Sequence, residues 1–461
     1  MKVKHLQNAG IVFFLLPFFL YEDFLLSVIL SVIGLAIIYA EKISREFMKL
    51  EWREYVFFIY MFHMLFGERE FAYVGLEPLF VTELVLGILI LSYARELLSV
   101  RKVLALYYLL VLIGILFAGL YFFEFKLDAI RDSFMLVYAL WVPIIYHVFQ
   151  RKQHYEFFFQ LLKLFIALKA AAYCYEAVMI LLGQRAITFE GFRFGVGYIV
   201  PSLVVISLFL PLRHISLPYK ILSLLMLPAV FTLFHRSIFL GIALAVVAIF
   251  FLGSWPIRKN MLLYGVTSMV LLLGFLIYYN SIIEVDLFRI LDRKSSFDEG
   301  NINFRVISWE YVLQKFYENF ILGYGVGKPV MYVHHNVFYS TIDLTYFQIR
   351  DLDGNAQPHN SYLNILARFG ILIFPIFLAA IVQPLIRIYH YVVMSYSRKS
   401  EGYTMLLLLT GYLMLMYVFT FFNVVLEGPH HAFEFWLVIG MLLSFGRTGM
   451  LTPGRVNILR N

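Results

Sequence analysis

Long apolar runs recur along almost the whole chain of 461 residues. A membrane-spanning helix needs about 20 mostly apolar residues, and shorter runs serve where the bilayer is locally thin. We interpret as spans the runs 8–20, 24–40, 53–66, 79–94, 103–123, 133–149, 157–182, 197–211, 219–234, 237–252, 261–279, 371–394, 403–422 and 431–446. Charged residues make up only 15% of the chain, against about a quarter in a soluble domain. The sequence therefore predicts an all-α, polytopic integral membrane bundle of about 12–14 spans.

Lysine and arginine are unevenly distributed between the connections, and positively charged connections tend to stay in the cytoplasm. Alternate connections, starting with the N-terminus, are rich in them: Lys2, Lys4; Lys42, Arg45, Lys49, Arg53; Arg95, Arg101, Lys102; Arg151, Lys152; Arg213, Lys220; Arg258, Lys259; Arg398, Lys399; Arg447, Arg455, Arg460. The short connections between these hold only Arg69, Lys126, Arg131, Arg185, Arg193 and Arg236. This asymmetry predicts that both termini are cytoplasmic. It also explains the net charge of +7, so no nucleic-acid partner is implied.

The predicted topology leaves residues 280–370 as one large loop on the outer side of a single membrane domain, residues 1–461. An amphipathic helix is predicted at about 302–322, with Asn301 as its N-cap and Gly323 at its end. Its apolar residues recur at helical spacing: Trp309, Leu313, Phe316 and Phe320. The stretch 361–393 is too long for one span, so its first third is assigned to the loop's exit helix.

Among the arginines on the predicted outer side, three are candidates for a shared site: Arg193 just before a span, Arg236 between two apolar runs and Arg305 at the start of the amphipathic helix. An arginine at a membrane boundary is most often an anchor or a structural ion-pair partner. Arg236 fits that interpretation least, because it lies between two apolar runs with almost no loop around it. A guanidinium group binds phosphate oxygens bidentately without losing its proton, so the three form a candidate anion site.

His359 lies where the large loop re-enters the membrane, in Gln-Pro-His-Asn-Ser. A lone loop histidine is more often a satisfied polar residue than a catalyst. Its ordinary pKa near 6.5 nevertheless leaves a neutral imidazole that can remove a proton at ambient pH. Asn360 is placed to orient that ring or a substrate, which makes His359 the candidate general base.

Other motifs give weaker signals, and no metal site or cofactor is predicted from them. The stretch 323–329, with Lys328, lacks the Walker glycine spacing and has proline where a hydroxyl should bind Mg²⁺, so it is interpreted as a turn. The stretch 351–355 resembles part of a calcium loop but has no glutamate at the required position. The pairs His334-His335 and His430-His431 lack the i, i+4 spacing of a shared helical metal site.

Three stretches in this order resemble the bacterial O-antigen ligase and O-antigen polymerase superfamily. They are Arg193 before a span, Asn303-Phe304-Arg305 through Trp309 to the glycine turn at 323–327, and His359-Asn360-Ser361-Tyr362-Leu363 through Gly370. The turn His235-Arg236-Ser237 resembles the family's Ser-Arg-Gly turn, with two substitutions. The resemblance covers roughly residues 190–375.

This resemblance implies a GT-C-like membrane glycosyltransferase in the bacterial inner membrane, with its active site on the periplasmic face. The implied reaction transfers a glycan from undecaprenyl pyrophosphate to a sugar hydroxyl without a metal or another cofactor. Carried over by position, His359 and Arg305 are expected to be catalytic. The residues expected to bind the pyrophosphate or glycan are Arg193, Arg236, Asn360 and Tyr324.

Several functions remain open within and beyond this class. The leading hypothesis is a polysaccharide repeat-unit polymerase, with a lipid-linked repeat unit as acceptor and a chain-length regulator as a further partner. About fourteen predicted spans favour it, because ligases of the family usually have twelve. The alternatives are an O-antigen ligase whose acceptor is lipid A-core, a protein O-oligosaccharyltransferase, and a flippase or other transporter of lipid-linked oligosaccharides.

Overall fold

The computed structural model describes residues 49–66, 69–76, 79–99, 101–181, 206, 210, 219–220, 223, 236–282, 299–328, 358–393 and 400–451. The α-helices in these ranges are α1 (Trp52–Phe66), α2 (Val81–Ser92), α3 (Ala94–Leu98), α4 (Ala105–Val137), α5 (Trp141–Val148), α6 (Lys152–Leu181), α7 (Arg236–Leu252), α8 (Trp255–Ile282), α9 (Glu299–Glu318), α10 (Ser361–Val393), α11 (Glu401–Phe422) and α12 (Pro429–Phe445). Short 3-10 helices lie at Arg69–Tyr73, Lys102–Leu104 and Tyr138–Leu140, and a two-residue antiparallel ladder joins β1 (Gly75–Leu76) to β2 (Leu79–Phe80).

The predicted all-α, polytopic membrane fold is confirmed. Within the described ranges, three helical stretches are long and apolar enough to cross a membrane: Lys102–Val148, Ser361–Val392 and Gly402–Phe422. Two shorter apolar helices, Val81–Ser92 and Ser237–Leu252, accompany them. The predicted spans 8–20 and 24–40 lie outside the described residues, as do most of 197–211 and 219–234. The total of about 12–14 spans therefore stays a prediction.

Three of the connections that the charge pattern assigns to the cytoplasm meet at one end of the bundle. Arg53, in the first turn of α1, donates to Glu96 of α3 at 2.7 Å. Arg151, before α6, donates to Glu54 of α1 at 3.2 Å. These contacts place the starts of α1 and α6 and the short α3 side by side. The cytoplasmic location of this end stays a prediction.

Two of the long helices are interrupted by residues in the left-handed region. Lys126 has φ 47° inside α4, and Gly370 has φ 71° inside α10. Lys126 falls between the predicted spans 103–123 and 133–149. Gly370 separates a short first segment of α10 from its apolar remainder, where the sequence predicts a boundary before residue 371.

The helix α9 runs from Glu299, so the predicted N-cap Asn301 lies inside it. Its buried stripe consists of Ser308, Val312 and Phe316, spaced four residues apart, and Val312 and Phe316 pack on Ala367 of α10. Phe320, which the pattern assigned to the apolar face, lies beyond the helix end and is 48% exposed. The buried face is therefore displaced from the predicted one, and it lies against α10.

A glycine turn, residues 323–327, packs against the interruption of α10 and forms backbone hydrogen bonds with it. The N–H groups of Tyr324 and Gly325 donate to the carbonyls of Ala367 and Arg368, at 2.7 and 3.0 Å. In return, the N–H groups of residues 371 and 372 donate to the carbonyls of residues 320 and 321, at 3.0 and 3.2 Å. The break in α10 thus leaves its freed backbone groups paired, which an apolar surrounding requires.

The glycines of this turn have little room for a side chain. Gly323, Gly325 and Gly327 all have positive φ, of 78°, 95° and 81°. A Cβ on Gly323 would collide with the backbone at Arg368 and Gly370, and one on Gly325 or Gly327 would collide with α4 at Tyr121 or Phe125. The turn is wedged between the interrupted helices α4 and α10.

We expect Gly370→Ala to destabilise the protein by about 1–3 kcal/mol, because its left-handed backbone suits glycine and the new methyl would collide with the backbone at Ile321. Gly265→Ala is the matched control, since Gly265 lies in α8 and a methyl group there would meet no atom within 4 Å. Melting temperatures of the two purified variants in detergent test this. We call the hydrogen-bonded contact between the glycine turn and the interruption of α10 the interlock. Equal melting temperatures of the two variants would show that the interlock contributes nothing to stability.

Candidate active site

The first residue of α7 is Arg236, one of the predicted anion-binding residues. The next residue, Ser237, accepts a hydrogen bond from Asn423 Nδ2 at 2.9 Å. The Asn423 carbonyl oxygen lies 3.2 Å from Ser361 Oγ. This chain of contacts places the N-terminus of α7 next to the N-terminus of α10, which follows His359.

Helix α9 is attached to the segment before His359 through Trp309. Trp309 Nε1 donates to the Pro358 carbonyl at 2.9 Å, and its indole ring contacts Phe421 edge to face at 5.7 Å. Arg305 lies four residues before Trp309, one turn earlier on the same face of the helix. The structure therefore brings Arg305 to the His359 segment, although the two are far apart in sequence.

His359 has φ 47°, an uncommon backbone conformation for a residue other than glycine, and it is half-buried. Burial, with a smaller contribution from the positive charge of Arg305, lowers the pKa of His359 to about 4. The imidazole is consequently neutral at physiological pH. It can accept a proton there.

Asn360 is the N-cap of α10, and its Oδ1 accepts from the Leu363 N–H at 3.1 Å. The residue is fully buried, and its Nδ2 has no hydrogen-bond partner among the described residues. A buried amide donor without a partner costs about 1–3 kcal/mol, so it marks a place where a ligand oxygen would be stabilised. Asn360 thus carries such a donor in the residue that follows His359.

Behind Asn360, a carboxylate holds the first turn of α10. Glu427 accepts from Ser361 Oγ at 2.5 Å and from Asn364 Nδ2 at 2.9 Å. Burial raises the pKa of Glu427, and these two hydrogen bonds reduce that rise. Ser361 Oγ also accepts from the N–H groups of Val425 and Leu426, at 2.9 and 3.2 Å. The contacts fix the backbone that carries His359 and Asn360.

A buried ion pair continues this network towards α4. Arg368 and Asp132, each almost fully buried, approach to 2.6 Å. Arg368 also donates to Asn364 Oδ1 at 3.1 Å, and Asp132 accepts from the Gly327 N–H at 2.8 Å. Arg368 is therefore engaged by protein groups. It supports the glycine turn and the first segment of α10.

The glycine turn ends in a lysine that faces three aromatic rings. Lys328 Nζ lies 5.4 Å from the ring centres of Tyr121 and Tyr324 and 5.6 Å from that of Phe125. These distances are those of cation–π contacts, which hold the ammonium group at the aromatic surface. Tyr324, predicted to bind substrate, is also approached at 5.4 Å by Lys315 of α9. The residue therefore lies between two lysines.

An apolar groove of about 600 Å³ opens beside the His359 segment. It is lined by side chains of α7, α10 and α11: Leu240, Tyr362, Phe374, Leu378, Ile381, Val382, Leu385, Tyr417, Val418, Phe421 and Phe422. Tyr362 is three residues after His359, and Phe421 contacts Trp309. One end of the groove therefore reaches the polar cluster, and its length follows the membrane-spanning helices.

The predicted residues thus divide into those the structure brings together and those it does not describe. Arg305, His359 and Asn360 lie in one cluster, and Arg236 begins a helix attached to it. Tyr324 lies on the glycine turn, against the first segment of α10. Arg193, the stretch 351–355 and the pair His334-His335 lie outside the described residues.

Sequence reasoning missed four residues of the network: Asp132, Asn364, Arg368 and Glu427. The sequence did indicate that Arg368 has a structural or functional partner, since a charge within an apolar helix is costly unless it is paired. Its partner, more than two hundred positions away, could not be inferred from spacing.

The fold and this cluster define an integral membrane protein with a polar site at the ends of its helices, next to an apolar groove. A family model described as O-antigen ligase matches residues 221–378. The predicted resemblance to the O-antigen ligase and polymerase superfamily is confirmed by this match, which supports a membrane glycosyltransferase of that type. A comparison with curated proteins finds no match.

We expect Asp132→Ala to destabilise the protein by about 3–5 kcal/mol, because it leaves the buried Arg368 charge unpaired. Asp128→Ala is the control from the same helix. The Asp128 side chain is 56% exposed and pairs with Arg131 at the surface, so its loss should cost about 0–1 kcal/mol. Thermal unfolding of both variants measures the difference, and similar melting temperatures would contradict a supporting role for the buried pair.

Proposed function

We propose that this protein transfers a glycan from undecaprenyl pyrophosphate to a sugar hydroxyl on the periplasmic face of the bacterial inner membrane. The reaction is the polymerisation of lipid-linked polysaccharide repeat units. The observation that carries the proposal is the neutral imidazole of His359 at the end of an apolar groove, under the charge of Arg305 and followed by Asn360, whose amide donor has no partner among the described residues. The arginines suit the pyrophosphate of a lipid-linked sugar donor, the groove suits its polyprenyl tail, and the imidazole suits the acceptor hydroxyl that attacks it.

The pyrophosphate leaving group needs its developing negative charge stabilised. Guanidinium groups do this by paired hydrogen bonds, and they act more strongly where water is excluded. The positive charge of Arg305 acts on His359, and Arg236 begins α7, whose N-terminus lies next to that of α10. Arg193, which matches a third family position, is assigned to the same clamp. The Asn360 Nδ2 donor adds a neutral contact to a phosphate or sugar oxygen.

The acceptor hydroxyl is a weak nucleophile, and His359 serves as its base. The hydroxyl oxygen attacks the anomeric carbon while its proton passes to the imidazole. The bond from that carbon to the phosphate oxygen breaks, and undecaprenyl pyrophosphate leaves with the electron pair. Attack opposite the leaving group inverts the anomeric configuration. With a pKa of about 4, the imidazolium readily returns its proton to water, which regenerates the base.

The apolar groove is suited to the polyprenyl tail of the donor. Its lining residues are apolar or aromatic, and the end marked by Tyr362 and Phe421 lies at the polar cluster. A tail in the groove would hold the pyrophosphate at the membrane boundary, where arginine can be accommodated. Helix α9 covers the cluster and places Arg305 there.

O-antigen ligation is the second candidate, because the matching family model is described as O-antigen ligase. The donor chemistry would be identical, and the acceptor would be lipid A-core instead of a lipid-linked repeat unit. A chain-length regulator would act only with the polymerase. The choice between the two thus depends on the acceptor.

Purified protein in liposomes should convert undecaprenyl-pyrophosphate-linked repeat units into longer lipid-linked chains without any other acceptor. His359→Ala should slow this about 10²–10⁴-fold, as expected for loss of a general base. Gel separation of the labelled glycans measures chain length. His390→Ala is the control, since His390 is an exposed histidine at the far end of α10.

Each other outcome of this assay has a definite meaning. Product formed only when lipid A-core is added would establish ligation and overturn polymerisation. Translocation of the donor without a new glycosidic bond would indicate a flippase. Full turnover by His359→Ala would remove His359 as the base.

The activity should depend on pH through His359. Because the lowered pKa of about 4 keeps the imidazole neutral above that value, kcat/KM should fall only as the pH drops towards 4. Arg305→Ala should lower the rate and also move this acid limb to higher pH, because one cause of the depressed pKa is removed. The limb should stay below the ordinary value of 6.5, since burial, the larger cause, persists.

Lys315→Ala on the same helix is the control for charge removal, because Lys315 pairs with Glu318 at 2.9 Å and is not among the causes of the His359 shift. An acid limb that is identical in the wild type and in Arg305→Ala would argue against electrostatic coupling between Arg305 and His359.

A further inference from the structure

A second polar cluster lies in the first two turns of α12, outside the groups used for glycan transfer. It consists of His430, His431 and Glu434, all buried. His430 Nδ1 and His431 Nδ1 are 3.2 Å apart, and His431 Nδ1 is 2.9 Å from Glu434 Oε2. One ligand atom from each residue lies within 4.8 Å of the others. Three metal-ligating groups therefore converge on one point.

Hydrogen bonding alone does not account well for these contacts. A ring nitrogen has one in-plane position, which carries either a proton or a lone pair. If His431 Nδ1 carries the proton and donates to Glu434, it cannot also accept from His430 Nδ1. If it carries the lone pair, it faces the carboxylate lone pairs of an ionised Glu434. No single proton position makes both contacts good two-centre hydrogen bonds while Glu434 is ionised.

The carboxylate of Glu434 gives an independent indication. Its side chain is fully buried, and its Oε1 has no hydrogen-bond partner among the described residues. Its ion-pair partner among those residues is His431. A carboxyl group buried in this way either takes up a proton or stays ionised beside a compensating positive charge. A divalent cation at the convergence point would supply that charge and engage all three groups.

We propose that His430, His431 and Glu434 bind a structural divalent transition-metal ion of the zinc class. Two imidazoles and one carboxylate form a donor set that zinc accepts, with ligand bonds of about 2.0–2.2 Å. Ligand atoms at such distances and at tetrahedral angles lie about 3.3 Å apart. Two of the three separations, 3.2 and 2.9 Å, are close to that value, and the third is within 4.8 Å.

The position suggests what such an ion would stabilise. The segment 423–428 immediately precedes α12, and its N–H groups at Val425 and Leu426 donate to Ser361 Oγ at the start of α10. An ion bound in the first turns of α12 would fix the end of that segment that joins α12. His431 is 8% exposed, whereas His430 and Glu434 are fully buried, so the approach is from the His431 side.

Full-length protein carrying an affinity tag without histidine should contain about one transition-metal ion per chain when purified without chelator and analysed by elemental mass spectrometry. After chelation and dialysis against Co²⁺, visible absorption typical of tetrahedral cobalt should appear and be displaced by Zn²⁺. Chelation should also lower the melting temperature, and Zn²⁺ should restore it.

Glu434→Gln is the decisive variant, because glutamine preserves the shape of the side chain without its charge and therefore permits folding. It should reduce metal affinity by more than roughly tenfold, and His431→Ala should do the same. His390→Ala, at an exposed histidine, should retain the metal. Metal-free wild-type protein that takes up neither Co²⁺ nor Zn²⁺ would overturn the proposal, as would equal metal content in wild type and Glu434→Gln. Both results are read from metal content and are therefore independent of the glycan-transfer assay.

Discussion

The interruption of α10 at Gly370 is the constraint on which the site depends. A helix that breaks among apolar side chains exposes carbonyl and N–H groups, and each must find a partner. The glycine turn supplies partners on one side of the break, through the N–H groups of Tyr324 and Gly325, and the carbonyls of residues 320 and 321 just before the turn supply them on the other. The turn begins a few residues after the end of α9. Its backbone hydrogen bonds to α10 therefore set the position of α9 along α10. Arg305 is thereby fixed relative to the His359 segment.

The buried pair of Asp132 and Arg368 connects this interlock to the rest of the bundle. Two charges taken out of water recover the cost of desolvation only when geometry and further hydrogen bonds are favourable. Here Arg368 bonds to Asn364 and Asp132 to the glycine turn, so each charge has several partners. Asn364 in turn reaches Glu427, whose other oxygen binds Ser361. One polar network therefore runs through the buried interior from α4 to the first turn of α10.

The sequence allowed the fold class to be predicted, because it depends on local patterns, and local patterns also brought out the candidate residues of the site. Apolar run length revealed the helices, and His359, Arg305 and Asn360 stood out as polar residues at helix ends. The Asp132–Arg368 pair depends on a contact between distant helices, which no spacing rule reveals. The buried face of α9 was misplaced for a similar reason: α10 covers Val312 instead of Phe320, and the helical period alone cannot select the side that a neighbour will cover.

The arrangement also explains why chemistry at this site would need little movement of the backbone. His359 lies in the left-handed region, a conformation held by Trp309 on the Pro358 carbonyl and by the Asn360 cap on the following turn. Its ring is kept neutral by burial and by the charge of Arg305, which is the group assigned to the leaving pyrophosphate. Once a donor's negative charge engaged Arg305, that charge would depress the pKa of His359 less. Binding of the donor would therefore strengthen the base at the moment when the acceptor hydroxyl must lose its proton.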